Sequence, residues 1–341
     1  MNRLTQIKNR IFEEFWSGKT TDLASYEQIF NEICLDLFYE HLHHNPVYRS
    51  FVNYLNRDFS NLKHYNQIPF LPIEFFKNHK VIFDGFEPLG YFQSSGTTGM
   101  ARSTHWIADY KLYETSFTQG FCQFFGDPQA YCILALLPNY LEQNHSSLVY
   151  MVKRLVEFSD DNRSGFYLYN HQDLAETLSV LEKEGKKTLL FGVTFALLDF
   201  AEKFPMKLES VQIIETGGMK GRRAEMTREE LHRLLKQAFK TDHILSEYGM
   251  SELFSQGWLL KNGHFQMPPW MKILIRDIHD PLGYVSFGKT GGVNVIDLAN
   301  VYSCPFISTQ DLGRLYAQNE FEILGRFDDS DARGCNLMVV S

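Results

Sequence analysis

The chain is short of cysteine, of positive charge and of long apolar runs, and each shortage excludes a class of protein. Its five cysteines, Cys34, Cys122, Cys132, Cys304 and Cys335, are odd in number, scattered and without a CxxC pair. That spacing argues against both a disulfide framework and a zinc site. No uncharged apolar span approaches the ~18 residues that a membrane-crossing helix needs. The opening residues, Met1 to Arg10, lack the apolar core of a signal peptide, so a cytoplasmic protein is expected. Lys and Arg number 33 against 41 Asp and Glu, a net charge of −8, and no local basic patch offsets the deficit. Neither nucleic acid nor an anionic membrane surface is favoured as a partner. Internal repeats and low-complexity tracts are missing too.

What remains has the composition of an ordinary globular chain, 44% hydrophobic and 22% charged. Its 341 residues suit about two domains, or one large α/β domain with an appended piece. With 29 Phe and 17 Tyr it has material for a large core and for an apolar or aromatic pocket. Toward the N-terminus, Ile7, Ile11, Phe12 and Phe15, then Phe30, Ile33 and Leu37, recur at helical spacing, with Trp16 and Phe38 expected to face a core. His41, His43 and His44 have no carboxylate or thiol at ligand spacing and read as a solvated helix end. Ile68-Pro69-Phe70-Leu71-Pro72 interrupts the helical pattern. Beyond it, apolar runs at 131–137, 188–193, 211–215 and 243–248 alternate with amphipathic stretches. The clearest helix starts at Thr227, with Glu230 placed to reach back to the cap and Leu231, Leu234, Leu235, Ala238 and Phe239 as its buried stripe. This alternation predicts an α/β fold, a mainly parallel sheet covered by helices. From Phe265, short β-like pieces between turns at Asp280-Pro281, Gly288-Lys289 and Gly291-Gly292 predict a smaller β-rich portion.

The chemistry concentrates in Ser94, Ser95, Gly96, Thr97, Thr98 and Gly99, four hydroxyls and two glycines in six positions. Such a loop lets backbone amides converge on a phosphate while hydroxyls add neutral donors, and Arg102 could supply charge. It is not a Walker loop, which demands a second glycine followed by Lys and Ser/Thr. An ordinary polar turn is the competing reading. Three later segments follow apolar runs, where parallel sheets bind ligands. Gly217 and Gly218 would let a flat ring lie on backbone, or form a plain turn. Tyr248, Gly249, Met250, Ser251 and Glu252 combine an aromatic face, a hydroxyl and a carboxylate suited to base, phosphate and Mg2+, unless Glu252 is simply solvated. Asp311 could accept ribose hydroxyls, or cap its own turn.

Taken in order, Ser94 to Arg102, Gly217-Gly218, Tyr248 to Glu252, Thr309 to Asp311 and Gly325 to Asp329 resemble the adenylate-forming superfamily of acyl-CoA synthetases, adenylation domains and luciferases. Ser95 to Gly99, Leu137 to Tyr140 with Ser146 to Tyr150, Glu215 to Arg222, and Arg333 to Asn336 are similar more closely to the acyl-protein synthetase family, the LuxE type. The resemblance implies an adenylate-forming N-terminal α/β domain over 61–324, a helical segment over 1–60 packed on it, and a short tail over 325–341 in place of a lid domain with its catalytic lysine. It implies ATP and Mg2+. Ser94 to Gly99 would hold the β- and γ-phosphates, with Arg102 where the superfamily usually has Lys. Gly217, Gly218 and Tyr248 would flank adenine, Ser251 would serve phosphate and Glu252 the metal, and Asp311 with Arg326 would hold ribose. Cys335 matches the cysteine that accepts the acyl group, with Arg333 nearby to favour the thiolate. The implied reaction activates a carboxylic acid, a fatty or aryl acid, as acyl-AMP, then passes the acyl group to Cys335 and on to a partner reductase or carrier. A CoA ligase of the same fold and a non-catalytic nucleotide-binding scaffold are the alternatives. Cys34, Cys122, Cys132 and Cys304 are expected to be packing residues.

Overall fold

A computed structural model describes residues 3–17, 23–94, 102–138, 145–217 and 226–327. The chain divides into two compact units, one joining the segment up to Phe86 with that from Pro269 onward, the other spanning Glu87–Pro268.

The first unit opens with α1 (Arg3–Ile11), a wide helical turn at Phe12–Trp16, α2 (Leu23–His44) and α3 (Pro46–Tyr54). On α1, Leu4, Ile7 and Ile11 form one buried stripe, the i, i+3, i+7 spacing that lets a helix lie on a core. Phe30, Ile33, Cys34, Leu37, Phe38 and His41 do the same on α2. As the spacing predicted, Trp16 and Phe38 are buried, Trp16 edge-to-face on Trp270 at 5.8 Å. Burying a large apolar side chain contributes about 1.5–3 kcal/mol, so these contacts dominate the local energetics.

The histidine-rich end of α2 is solvated at His43 and His44, as the sequence led one to expect, but not at His41. His41 is fully buried and its Nε2 donates to the Val301 carbonyl at 3.0 Å. Desolvation lowers its pKa to about 3, so it stays neutral. Asn45 caps α3 by accepting from the Tyr48 N–H, and its Nδ2 donates to the Ser303 carbonyl at 2.6 Å. A short strand β1 (Leu71–Pro72) and helix α4 (Phe75–Asn78) follow.

The second unit begins with a two-stranded antiparallel ribbon, β2 (Gly90–Gln93) and β3 (Thr104–Ile107). Then come α5 (Tyr110–Phe125), β4 (Cys132–Leu136), α6 (Ser147–Phe158), β5 (Gly165–Phe166), α7 (His171–Glu184), β6 (Thr188–Val193), α8 (Thr194–Lys203), β7 (Val211–Thr216), α9 (Arg228–Phe239), β8 (Ile244–Tyr248), β9 (Gly257–Leu259) and β10 (Phe265–Gln266). Within this unit the strand order is β5-β4-β6-β7-β8-β9-β10, parallel as far as β8 and antiparallel beyond it. The parallel sheet expected from sequence is therefore present. Every residue of β4 and β6 is buried, which is why these strands read as continuous apolar runs without alternation. Gly192 in β6 makes room for α8, since a Cβ there would lie 2.5 Å from Leu197 Cγ. Thr227 caps α9 as predicted, its Oγ1 accepting from the Glu230 N–H at 3.2 Å.

The chain then returns to the first unit as an antiparallel meander, β11 (Met271–Arg276), β12 (Gly291–Asp297), β13 (Phe306–Ala317) and β14 (Glu320–Arg326). This is the predicted β-rich portion. Strand β1 pairs with β13 in parallel, Leu71 opposite Ile307. Arg276 laces the meander together. Its Nη1 donates to the Val293 carbonyl and to Asn294 Oδ1, both at 2.9 Å, and its Nη2 to the Thr309 carbonyl at 2.6 Å. Gly292 permits this, because a Cβ there would sit 2.3 Å from the guanidinium carbon. Among the described residues no helix is long and apolar enough to cross a membrane.

Candidate active site

In an open parallel sheet the carboxyl ends of the strands, with the loops after them, form the ligand-binding edge. In the second unit that edge carries an unusual set of polar groups. Strand β7 ends in Glu215 and Thr216, and Gly217 follows at φ +74°, a conformation that strains any side chain. Strand β8 ends in Glu247 and Tyr248. In register, Thr216 lies opposite Glu247 and Glu215 opposite Ser246, and strand alternation sends the two pairs to opposite faces. On one face the Thr216 hydroxyl is hydrogen-bonded to the Glu247 carboxyl. On the other, Thr194 Oγ1 donates to Glu215 Oε2 at 3.2 Å, and His232 Nε2 stands 3.1 Å from Ser246 Oγ and 3.7 Å from Glu215 Oε1.

These surroundings set the charge of Glu247. Burial disfavours its carboxylate, the Thr216 hydrogen bond pulls the other way, and the nearby Glu215 adds to the rise. The pKa moves from 4.5 to about 7. Gly249 is confined by the same carboxyl, since a Cβ there would lie 2.2 Å from Glu247 Oε1.

The turn after β8 is closed by the Leu253 N–H donating to the Met250 carbonyl at 3.1 Å. Within it Glu252 is only 3% exposed, so the solvated reading of this carboxylate does not hold. Two outside groups pin the turn. His105 on β3 approaches the Ser251 carbonyl at 2.8 Å, and Ser116 on α5 meets Ser255 at 3.0 Å between hydroxyls. Tyr248 is buried with its ring edge-to-face on Phe265 at 6.0 Å.

Ser94, at the exit of β2, donates its N–H to the Ser103 carbonyl at 3.1 Å and accepts the Ser103 N–H on its hydroxyl at 3.0 Å. The pair clasps the two ends of the hydroxyl-rich segment, and Arg102 is exposed beside the clasp. Ser95, Gly96, Thr97, Thr98, Gly99, Gly218 and Cys335 lie outside the described residues.

Asp311 and Arg326 belong to the first unit. They face each other across β13 and β14, and Arg326 Nε donates to Asp311 Oδ1 at 3.3 Å. Asp311 is a strand residue, not a turn cap. Its N–H donates to Thr309 Oγ1 at 3.1 Å and its side chain is 9% exposed.

The sequence places Thr216 and Glu247 inside two of the candidate segments without giving either a role, and it does not mark His232 or His105. An acid one residue from the end of a mostly buried strand was the available signal for Glu247. The histidines gave none, because their partners are distant in the chain.

The donor set tests which cofactors fit. Among the described residues no group of three or more His, Cys, Asp and Glu is placed as a metal cage. Mg2+ asks less of a protein, one or two carboxylates completed by water and substrate phosphate. The buried Glu252 and the hydroxyl of its chain neighbour Ser251 offer only oxygen donors, the ligand chemistry Mg2+ takes. The cysteines divide as the sequence suggested, with Cys34, Cys132 and Cys304 buried and Cys122 intermediate. Burial pushes the Cys132 thiol to about 11, Cys304 to about 12, and raises Cys34 and Cys122 as well. None of these four is a thiolate at neutral pH, so none is an apt nucleophile.

Comparison with known proteins identifies the family and the fold. A model of the acyl-protein synthetase family, LuxE, matches residues 15–341. The chain belongs to that family. A search of curated protein sequences returned no match. Among solved structures, this LuxE-family chain is similar to a 2-hydroxyisobutyryl-CoA ligase in complex with 2-HIB-AMP and CoA, with a TM-score of 0.65 and 13% identity over 91% of this chain and 70% of that one. It is also similar to ATP-bound MatB from Rhodopseudomonas palustris, with a TM-score of 0.53 and 15% identity over 69% of this chain. The chain spans about half the length of MatB, 47% of it. The fold is that of the adenylate-forming ligases.

Proposed function

We propose that the protein is an ATP-dependent acyl-protein synthetase. A carboxylate oxygen of a fatty or aryl acid attacks the α-phosphorus of ATP, the bond to the β-phosphate breaks, and acyl-AMP and pyrophosphate form. The Cys335 thiolate then attacks the acyl carbonyl, AMP leaves, and the thioester passes to a partner reductase or carrier. The observation that carries this reading is the family match, which runs from residue 15 through Cys335.

In this reading the described residues mainly bind and orient. Ser94 and Arg102 frame the phosphate loop, with Ser95 to Gly99 between them. Gly217, Gly218 and Tyr248 flank the adenine, joined by Gly249 and Met250, and Asp311 with Arg326 takes the ribose hydroxyls. Ser251 serves the phosphates and Glu252 would hold Mg2+, which when bound spreads the phosphate charge as it develops. Positioning of this kind lowers the barrier chiefly by removing the entropy of bringing acid and nucleotide together. The unreactive state of the four described thiols supports giving the acceptor role to Cys335.

A CoA ligase is the second reading, favoured by the likeness to a ligase solved with CoA. Intact-protein mass after incubation with Mg-ATP and a panel of fatty and aryl acids separates the two. The expected result is a hydroxylamine-labile mass gain matching one acid, present in wild type and absent in Cys335→Ser. Pyrophosphate release with no mass gain, and CoA thioester formation unaffected by Cys335→Ser, would assign the protein as a CoA ligase. ATP binding without pyrophosphate release would leave a nucleotide-binding scaffold.

A further inference from the structure

His105 lies on β3, two residues beyond the Ser94–Ser103 clasp, and is fully buried. Its Nδ1 stands 2.8 Å from the Ser251 carbonyl oxygen, a partner 146 positions away in sequence. A carbonyl can only accept, so Nδ1 carries the proton and donates. The ring lies tilted against Phe254 at 5.0 Å, which sets its plane. On the paired strand Phe92 is opposite His105 in register and is itself locked against Tyr113 and Tyr150. The donor is thus set by its ring contact with Phe254 and by a strand pairing with Phe92, and is aimed at one backbone oxygen.

That oxygen belongs to Ser251, and the next residue is the buried Glu252. Resting on the function proposed above, we propose that His105 is a positioning residue. It ties the strand leaving the clasp to the Ser251-Glu252 peptide, and so fixes where the Glu252 carboxylate meets the metal and phosphates. The rest of the turn is tied down elsewhere, by the Leu253–Met250 hydrogen bond and by the Ser116–Ser255 contact. Loss of the His105 bond therefore releases the Ser251 carbonyl without unravelling the turn. Such a residue controls metal use more than acid binding.

The test uses three variants of the whole chain. His105→Phe keeps a ring against Phe254 and removes the donor. His105→Asn places an amide N–H near the Nδ1 position, and His105→Gln places it one methylene further out. The measurement is ATP–pyrophosphate exchange against Mg2+ concentration, with thermal unfolding as a control. The expectation for His105→Phe is that half-maximal exchange needs about ten-fold more Mg2+, the size of one lost buried hydrogen bond. Its KM for the acid stays within about two-fold of wild type, and His105→Asn recovers most of the loss while His105→Gln does not.

Unchanged Mg2+ dependence in His105→Phe, or equal losses in His105→Phe and His105→Asn, would overturn the proposal. If His105→Phe does not fold, the contrast between His105→Asn and His105→Gln decides by the same criterion. If wild type exchanges no pyrophosphate with any acid, the proposed activity fails on its own. Amide hydrogen exchange over residues 249–256 then judges His105, with faster exchange in His105→Phe and recovery in His105→Asn expected. No difference between them would refute the tie.

Discussion

Each unit buries a polar cluster, and the two clusters are built on opposite plans. In the first unit, His41 and Asn45 are neutral and spend their donors on the carbonyls of Val301 and Ser303. Buried neutral groups with satisfied hydrogen bonds fix the path of the chain and leave little for a ligand to gain. In the second unit, Glu215 and Glu247 lie at the ends of adjacent strands, and burial, with a smaller push from the Glu215 charge, raises the pKa of Glu247. A carboxyl buried at the carboxyl end of a parallel strand resists ionisation, and shifts of this kind concentrate at functional sites. The two plans respond to pH in opposite directions.

For His41 the folded pKa is depressed from 6.5 to about 3, so the native state binds fewer protons than the unfolded chain in that window. Its contribution is complete above pH 6.5 and is lost as pH falls toward 3, by up to roughly 5 kcal/mol over the whole range. Glu247 runs the other way. Its folded pKa is raised from 4.5 to about 7, so stabilisation by the protonated form is complete below 4.5 and is lost as pH rises through about 7.

The contrast can be broken from either side. The largest effect is expected from His41→Gln, which can keep an amide donor toward Val301 and cannot be protonated. Wild type should lose thermal stability on going from pH 6.5 to 4.5 by on the order of 3 kcal/mol more than the variant does. A parallel decline in both proteins would show that another group sets the acid limit. Glu247→Gln should act at the other end, copying the protonated carboxyl. Its stability relative to wild type should improve between pH 4.5 and 7 by at most about 3 kcal/mol, and a gap that stays constant with pH would remove Glu247 from the account. The smallest stability change belongs to Arg326→Ala. The Arg326 side chain is 75% exposed, and an exposed ion pair contributes within about 0.5 kcal/mol. Unfolding should barely move while Mg-ATP binding, followed by calorimetry, weakens by about ten-fold, the loss expected for one charge-assisted hydrogen bond to ribose. Unchanged binding would take Arg326 out of the proposed site.

Sequence was a good guide wherever the signal was local. Strands β4, β6, β7 and β8 are buried on both faces, so their apolar runs stand out without any knowledge of partners. Thr227 could be read as a cap because a helix start is decided within one turn. His41 was misread because the carbonyl that holds it is 260 positions away, and a histidine triplet at a helix end looks solvated until that partner is known. His105 was passed over for the same reason. The burial of Glu252 was equally hidden, since an acid after a glycine turn carries no local mark of what will cover it. The candidate site was legible as an ordered series of segments, and the contacts that set its charge and stiffness were not.

Arg276 and Gly292 are two ends of one packing decision. The guanidinium occupies the space a side chain at 292 would need, and from there it holds backbone on β12 and β13. The two positions should therefore drift together through evolution. Related chains that keep the arginine should keep the glycine, and those that place a side chain at the glycine's position should have given up the arginine and its grip on the strand that carries Asp311.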